Sequence, residues 1–127
     1  MQKIDTSYNP DAIHMYFTTN HDENAWQGTE FERLGEYHKT MFVLATTFQN
    51  GMPLIYSGQE VGNTKRLRFF DKDTLNWSNQ DLTSFYTQML KLKHDNKALW
   101  NGAAGGKMTL IETGNPGIIG VGSITYG

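Results

Sequence analysis

The sequence predicts an α/β fold: two parallel strands joined by a helix, then a second helix, then the first hairpin of an all-β unit. Three observations carry that expectation. Residues 13–18 and 52–57 are short apolar runs of strand character, and Phe17 lies 37 residues before Leu54. A connection that long, filled by a helical pattern, joins parallel strands and not the arms of a hairpin. Beyond Trp100-Asn101-Gly102 the texture changes to two strand-like runs around a turn signal.

The elements follow in order. Residues 1–12 are polar and turn-rich, with Asn9-Pro10-Asp11 as the clearest breaker. In residues 13–18, Ile13, Met15 and Phe17 alternate with His14, Tyr16 and Thr18, and neither face is strongly charged. That pattern suits a strand covered on both faces. Next, Thr29 and Glu32 have the spacing of a capping box. Tyr37, Met41, Leu44 and Phe48 recur on one helical face. Gly35 is placed to divide this helix, and Asn50-Gly51 to end it, with glycine just past the end. Pro53 is tolerated near the start of the second strand, at the ladder margin.

Residues 58–80 form a long irregular stretch, and loops of that length in compact domains usually carry function. A helix over residues 81–96 presents Leu82, Phe85, Met89 and Leu92 as its apolar stripe. Residues 107–113 and 118–126 then flank Gly114-Asn115-Pro116-Gly117, a hairpin turn signal.

Composition excludes several classes of function. The 127 residues include 11 basic and 13 acidic side chains, a net charge of −2 that gives no footprint for nucleic acid or acidic lipid. With no cysteine there is no disulfide framework, thiolate metal site or cysteine nucleophile, and no indication of redox compartment. No apolar run approaches the ~18 residues of a membrane span. Residues 1–5 carry no hydrophobic signal-peptide core, so the compartment stays open. His14, His38 and His94 lack metal-ligand spacing, and Asp71-Lys72-Asp73 lacks the glycine and closing glutamate of a calcium loop. Asn76-Trp77-Ser78 matches the glycosylation sequon, a pattern with many chance hits.

The strongest chemical signal is Thr18-Thr19-Asn20-His21-Asp22-Glu23-Asn24, at the C-terminal end of the first strand. Two readings compete. The bland one is a loop whose Asp and Asn cap the following helix. The functional one is a carboxylate and an imidazole that bind hydroxyl groups and stabilise developing positive charge.

Asn20-His21-Asp22 after an apolar strand resembles the fourth conserved segment of the α-amylase family of glycoside hydrolases. Further segments follow in the family's order. Gly51-Met52-Pro53-Leu54-Ile55-Tyr56-Ser57-Gly58-Gln59-Glu60 looks like its eighth barrel strand and the loop leaving it. Arg68-Phe69-Phe70-Asp71-Lys72-Asp73, with Asn76-Trp77, is similar to the stretch before its last barrel helix. The resemblance runs from about residue 10 to the end. It implies a partial (β/α)8 barrel, strands 7 and 8 with their helices, over residues 1–101. It implies the start of a C-terminal β-sheet domain over residues 102–127.

By that resemblance Asp22 is the catalytic carboxylate that stabilises an oxocarbenium-like transition state. His21 donates to the sugar, and Asn20 shapes the loop behind them. The implied substrate is an α-1,4-glucan, cleaved with retention. The nucleophile and the acid/base, which the family places on its fourth and fifth strands, have no counterparts here, so the chain is expected to be inactive alone. Glu23 reads as a loop residue and Glu60 as a structural or subsite-wall residue. The resemblance implies no cofactor in this chain; a structural calcium would belong to the upstream part of a parent enzyme. Many such enzymes are exported. Trp26, Tyr56 and Trp77 are candidates for stacking on sugar faces. Unpaired strand edges lead us to expect self-association. The alternative reading is a non-catalytic glucan-binding or assembly module.

Overall fold

The chain is described by a computed structural model covering residue 9 and residues 12–124. Pro10, Asp11 and Tyr126, which belong to the expected N-terminal breaker and to the end of the hairpin, lie outside the described residues.

The protein mixes helices with two small sheets. Strand β1 is His14–Phe17, helix α1 Glu30–Leu34, helix α2 His38–Thr47 and strand β2 Gly51–Leu54. Helix α3 is Thr83–Asp95, and strands β3 (Lys107–Ile111) and β4 (Gly120–Ile124) close the order. β1 and β2 pair in parallel, from His14 opposite Gly51 to Phe17 opposite Leu54. β3 and β4 pair antiparallel, from Lys107 opposite Ile124 to Ile111 opposite Gly120. The expected parallel pair, crossover helix and hairpin are therefore present, with strands shorter than the apolar runs that announce them.

Local chemistry accounts for the boundaries. Thr29 Oγ1 accepts from the Glu32 backbone N–H while the Glu32 carboxylate accepts from the Thr29 N–H, which completes the capping box of α1. Gly35 ends α1 at φ +54°, a left-handed angle that L side chains avoid, and a single turn leads into α2. The end of α2 corrects the expectation. The residue with positive φ is Asn50, at +53°, and Gly51 already begins β2. Gly51 serves close approach instead: a Cβ there would meet the Phe48 carbonyl oxygen and the Tyr16 ring at 2.9 Å.

The core lies between α2 and α3. Phe42, Leu82 and Tyr86 are buried, with Phe31, Ile55, Phe85 and Met89 packed around them. Phe42 meets Tyr86 edge-on at 4.6 Å. This corrects the expected face of α2, because Tyr37, Met41 and Leu44 are exposed while Phe42, Ala45 and Thr46 are buried. The run Met41-Phe42-Val43-Leu44-Ala45 is apolar on more than one side, so periodicity alone does not choose between its faces. Of the expected stripe, Leu82 at the cap of α3 and Phe85 and Met89 on it do join the core, whereas Leu92 is exposed.

The sheet also departs from expectation. Tyr16 packs edge-on against Phe48 at 5.8 Å, so one face of β1 is covered by the end of α2. Ile13, Met15, Phe17 and Met52 are exposed, and β1 is not covered on both faces. The β3–β4 hairpin is tied down by hydrogen bonds from Met108 N–H to Gln49 Oε1 (3.1 Å) and from Ser123 Oγ to the Ala98 carbonyl (2.7 Å). Its outer apolar side chains, including Leu110, Ile119 and Ile124, remain exposed.

Candidate functional site

The loop leaving β1 turns at once into a short π-helical turn, Glu23–Gln27. Its geometry separates the two readings of Asn20-His21-Asp22. Asn20 does the capping: its side-chain oxygen accepts from the Glu23 backbone N–H at 2.8 Å. Asp22 occupies the cap position in helical conformation and makes no side-chain cap hydrogen bond. The His21 and Asp22 side chains are 65% and 59% exposed, with Nε2 and the carboxylate 3.6 Å apart. The carboxylate is thus presented to solvent at the C-terminal end of a parallel strand, beside a ring that donates or accepts.

Polar side chains behind the loop hold it in place. Arg33 donates through Nη1 to the Thr18 carbonyl at 3.1 Å and pairs through Nη2 with Glu23 at 3.0 Å. Glu23 is thereby committed to holding the loop. Glu60 accepts from the Gly58 N–H at 3.1 Å, a local turn bond, so its carboxylate also has structural work. Beneath the strand ends, Gln59 Nε2 donates to Thr18 Oγ1 at 2.6 Å, and Tyr86 O–H donates to Glu30 Oε1 at 3.4 Å. Glu30 is only 3% exposed, and its Oε2 has no partner among the described residues. Burial pushes its pKa up to about 7, against the opposing hydrogen bonds of Tyr86 and Thr18. The Tyr86 hydroxyl is likewise pushed up, chiefly by burial and then by the Glu30 charge.

The long irregular stretch returns to this loop. Buried Asn24 accepts from the Leu67 N–H at 2.7 Å and donates to the Lys65 carbonyl at 3.4 Å. Arg66 grips Glu32 through two parallel bonds of 3.0 Å, a fork that holds the Glu32 carboxyl at about 2. Lys65 pairs with Asp73, which also accepts from the Arg68 and Thr74 N–H groups. The Lys65 contact is the main reason its carboxyl lies well below the usual range. Gly58, at φ +90°, begins this return, and a Cβ there would meet Leu75 at 2.8 Å. Carried on these ties, Phe69 stacks on His21 at 5.5 Å and 30°, and Trp26 lies 5.3 Å from Phe69.

The structure therefore brings His21, with Asp22 beside it, and Trp26 together around Phe69, while Asn20 caps the turn behind them. No family model, curated protein or solved structure matches this chain. Tyr56 is half-buried and Trp77 half-exposed, in the loop that follows β2. Among the described residues no three metal-ligating side chains come together. Sequence reasoning missed Asn24, Arg33 and Glu30. Asn24 lies within the polar cluster already singled out, and the signal for its role would have been pairing with a segment 43 residues away. Glu30 reads as an ordinary acidic residue in a first helical turn, a favourable place for a surface carboxylate.

Proposed function

We propose that the chain is the C-terminal part of an α-amylase-like glycoside hydrolase that cleaves α-1,4-glucans with retention. In this reading Asp22 stabilises the oxocarbenium-like transition state and His21 hydrogen-bonds the sugar at the cleaved bond. Asn20 holds the loop that presents them. One observation carries it: Asn20 takes the capping duty, which leaves the adjacent Asp22 carboxylate solvent-facing and uncommitted to the backbone. A carboxylate left free in this way is available to face positive charge as it develops on a bound sugar, the electrostatic role proposed for it.

Retention needs two further carboxyl groups, a nucleophile and an acid/base, about 5–5.5 Å apart. Glu23 and Glu60 do not serve, being bound to Arg33 and to the Gly58 N–H. In this reading both groups come from strands that precede this segment in a larger barrel. The uncovered apolar face of Ile13, Met15, Phe17 and Met52 supports that larger sheet, since purely parallel sheets are stable when both faces are covered. Residues 1–101 are then the end of the barrel and residues 102–127 the start of a β-sheet domain.

Two tests apply. The coding sequence upstream should contain one strand ending in Asp and a later one ending in Glu, and their absence overturns the reading. The isolated chain, free of contaminating amylase, should release no reducing sugar from starch. Turnover that disappears in Asp22→Ala would mean the chain carries a complete site of its own.

A further inference from the structure

Trp26, Phe69 and Phe70 stand together at the surface beside His21. Trp26 is 59% exposed and Phe70 84%. Phe70 lies edge-on to Phe69 at 4.7 Å and to Trp26 at 6.5 Å. Phe69, less exposed, fills the space between His21 and Trp26. Leaving rings of this size in water is unfavourable, and contiguous exposed apolar surface marks a place where something binds. The segment that carries Phe69 and Phe70 is not left to collapse inward. It is pinned by the two Asn24 bonds, the Arg66–Glu32 fork and the Lys65–Asp73 pair. The fold holds these rings out on a braced support.

We propose that the exposed Trp26 ring is a stacking platform for a pyranose ring, with Phe70 edge-on beside it as a side wall, adjoining the position served by His21 and Asp22, and with Phe69 as the spacer that positions the imidazole. This rests on the glucan reading and adds a binding position to it. The chemistry fits a sugar on two counts. A pyranose has a face of C–H groups that lies on a flat aromatic ring, and a rim of hydroxyls that needs acceptors and donors close by. Here Trp26 supplies the face contact and Phe70 an apolar edge, while the Asp22 carboxylate and the His21 imidazole lie at the border of the same surface. A purely apolar partner would leave both polar groups desolvated and unpaired.

The test is titration of the 127-residue chain with maltoheptaose at about 5 μM protein, below the range where self-association is expected, followed by the fluorine resonances of 5-fluorotryptophan incorporated at its three tryptophans. The expected result is binding that shifts the Trp26 indole signal. The Trp100 signal, whose indole N–H donates to the His94 carbonyl at 2.8 Å, should stay in place. Phe70→Ala and Trp26→Ala should each weaken binding about three- to tenfold, the scale of one aromatic contact. Trp26→Phe, which keeps a flat ring, should retain most of it. Phe70 is exposed enough that its removal leaves the fold intact, which circular dichroism checks. Absence of maltoheptaose binding at about 10 mM overturns the platform. Binding that Asp22→Asn weakens and neither aromatic variant changes also overturns it, while leaving the hydrolase reading in place. Cellohexaose bound as tightly as maltoheptaose, and lost in the same aromatic variants, supports the platform and overturns the α-1,4 specificity.

Discussion

Asp22 and Glu30 show how differently two carboxyl groups are used within nine positions of one chain. Asp22 faces solvent beside His21, and its proposed work is electrostatic. In a complete parent enzyme, Asp22→Asn should lower kcat by about 10²–10³-fold with little change in KM, the pattern of an interaction realised in the transition state. His21→Ala should cost less, since it removes one hydrogen bond to the sugar. Steady-state kinetics decide, and an Asp22→Asn enzyme within about twofold of wild type would reduce Asp22 to a structural loop residue. Glu30 is the opposite case. Burial raises its pKa to about 7 in the folded state, so the native protein keeps a proton that the unfolded chain has released. Its stabilising contribution is complete below the unfolded value of 4.5 and is lost as pH rises towards about 7. The whole swing is on the order of 3 kcal/mol. His38 titrates in the opposite sense: burial lowers its pKa, so its contribution falls as pH drops through 6.5 and below. The comparison of wild type with Glu30→Gln isolates the glutamate. Denaturant unfolding at several pH values should show the variant gaining on wild type as pH rises from 5 to about 8, and parallel profiles would remove Glu30 from the account.

At the scale of elements, the site depends on two segments far apart in the chain. The turn after β1 carries His21, Asp22 and Trp26, and the loop after β2 carries Phe69 and Phe70. Asn24 joins them through its two hydrogen bonds. Asn24→Ala leaves the Leu67 N–H without its acceptor and should cost about 1–3 kcal/mol. The effect should be local, because α2 and α3 meet through Phe42, Leu82 and Tyr86 and not through this loop. Hydrogen exchange is the measurement. Amides of residues 65–70 should exchange faster while those of α2 and α3 keep their protection, and uniform loss across the chain would show that Asn24 supports the whole fold.

For the whole molecule, the decisive feature is how little apolar surface is covered among the described residues. The described core centres on three buried residues, while Ile13, Met15, Phe17 and Met52 lie open on one sheet. Tyr16, Phe17, Met41, Leu44 and Phe48 line a further groove of about 240 Å³. Ile111, Ile119 and Ile124 add exposed surface on the hairpin. Patches of this extent favour association, and a symmetric arrangement covers the same surface on every copy. The isolated chain should therefore form oligomers or aggregate at tens of micromolar. Size-exclusion chromatography with light scattering tests this, and a sharp monomer with cooperative unfolding would show that the small core suffices.

Much of the fold was legible because it is encoded locally. The capping box at Thr29 and Glu32, the break at Gly35, the parallel pair implied by a long helical connection and the hairpin turn after Thr113 each depend on residues close in sequence. The sequence alone also singled out Asn20, His21 and Asp22, because a polar cluster after an apolar strand is a local pattern. What only tertiary structure decided concerns contacts between distant segments. An apolar helix with two plausible faces buries the one its neighbour covers, and α3 covers Phe42 and not Met41. A glutamate in the first turn of a helix becomes a buried, proton-retaining group only because Tyr86, from much later in the chain, and Thr18, from the end of β1, close over it. Likewise Asn24 and the exposed aromatic rings acquire their roles when residues 65–70 fold back across the strand end. Periodicity and capping act over a few residues and can be read from one segment at a time, whereas burial and pairing depend on which segments meet.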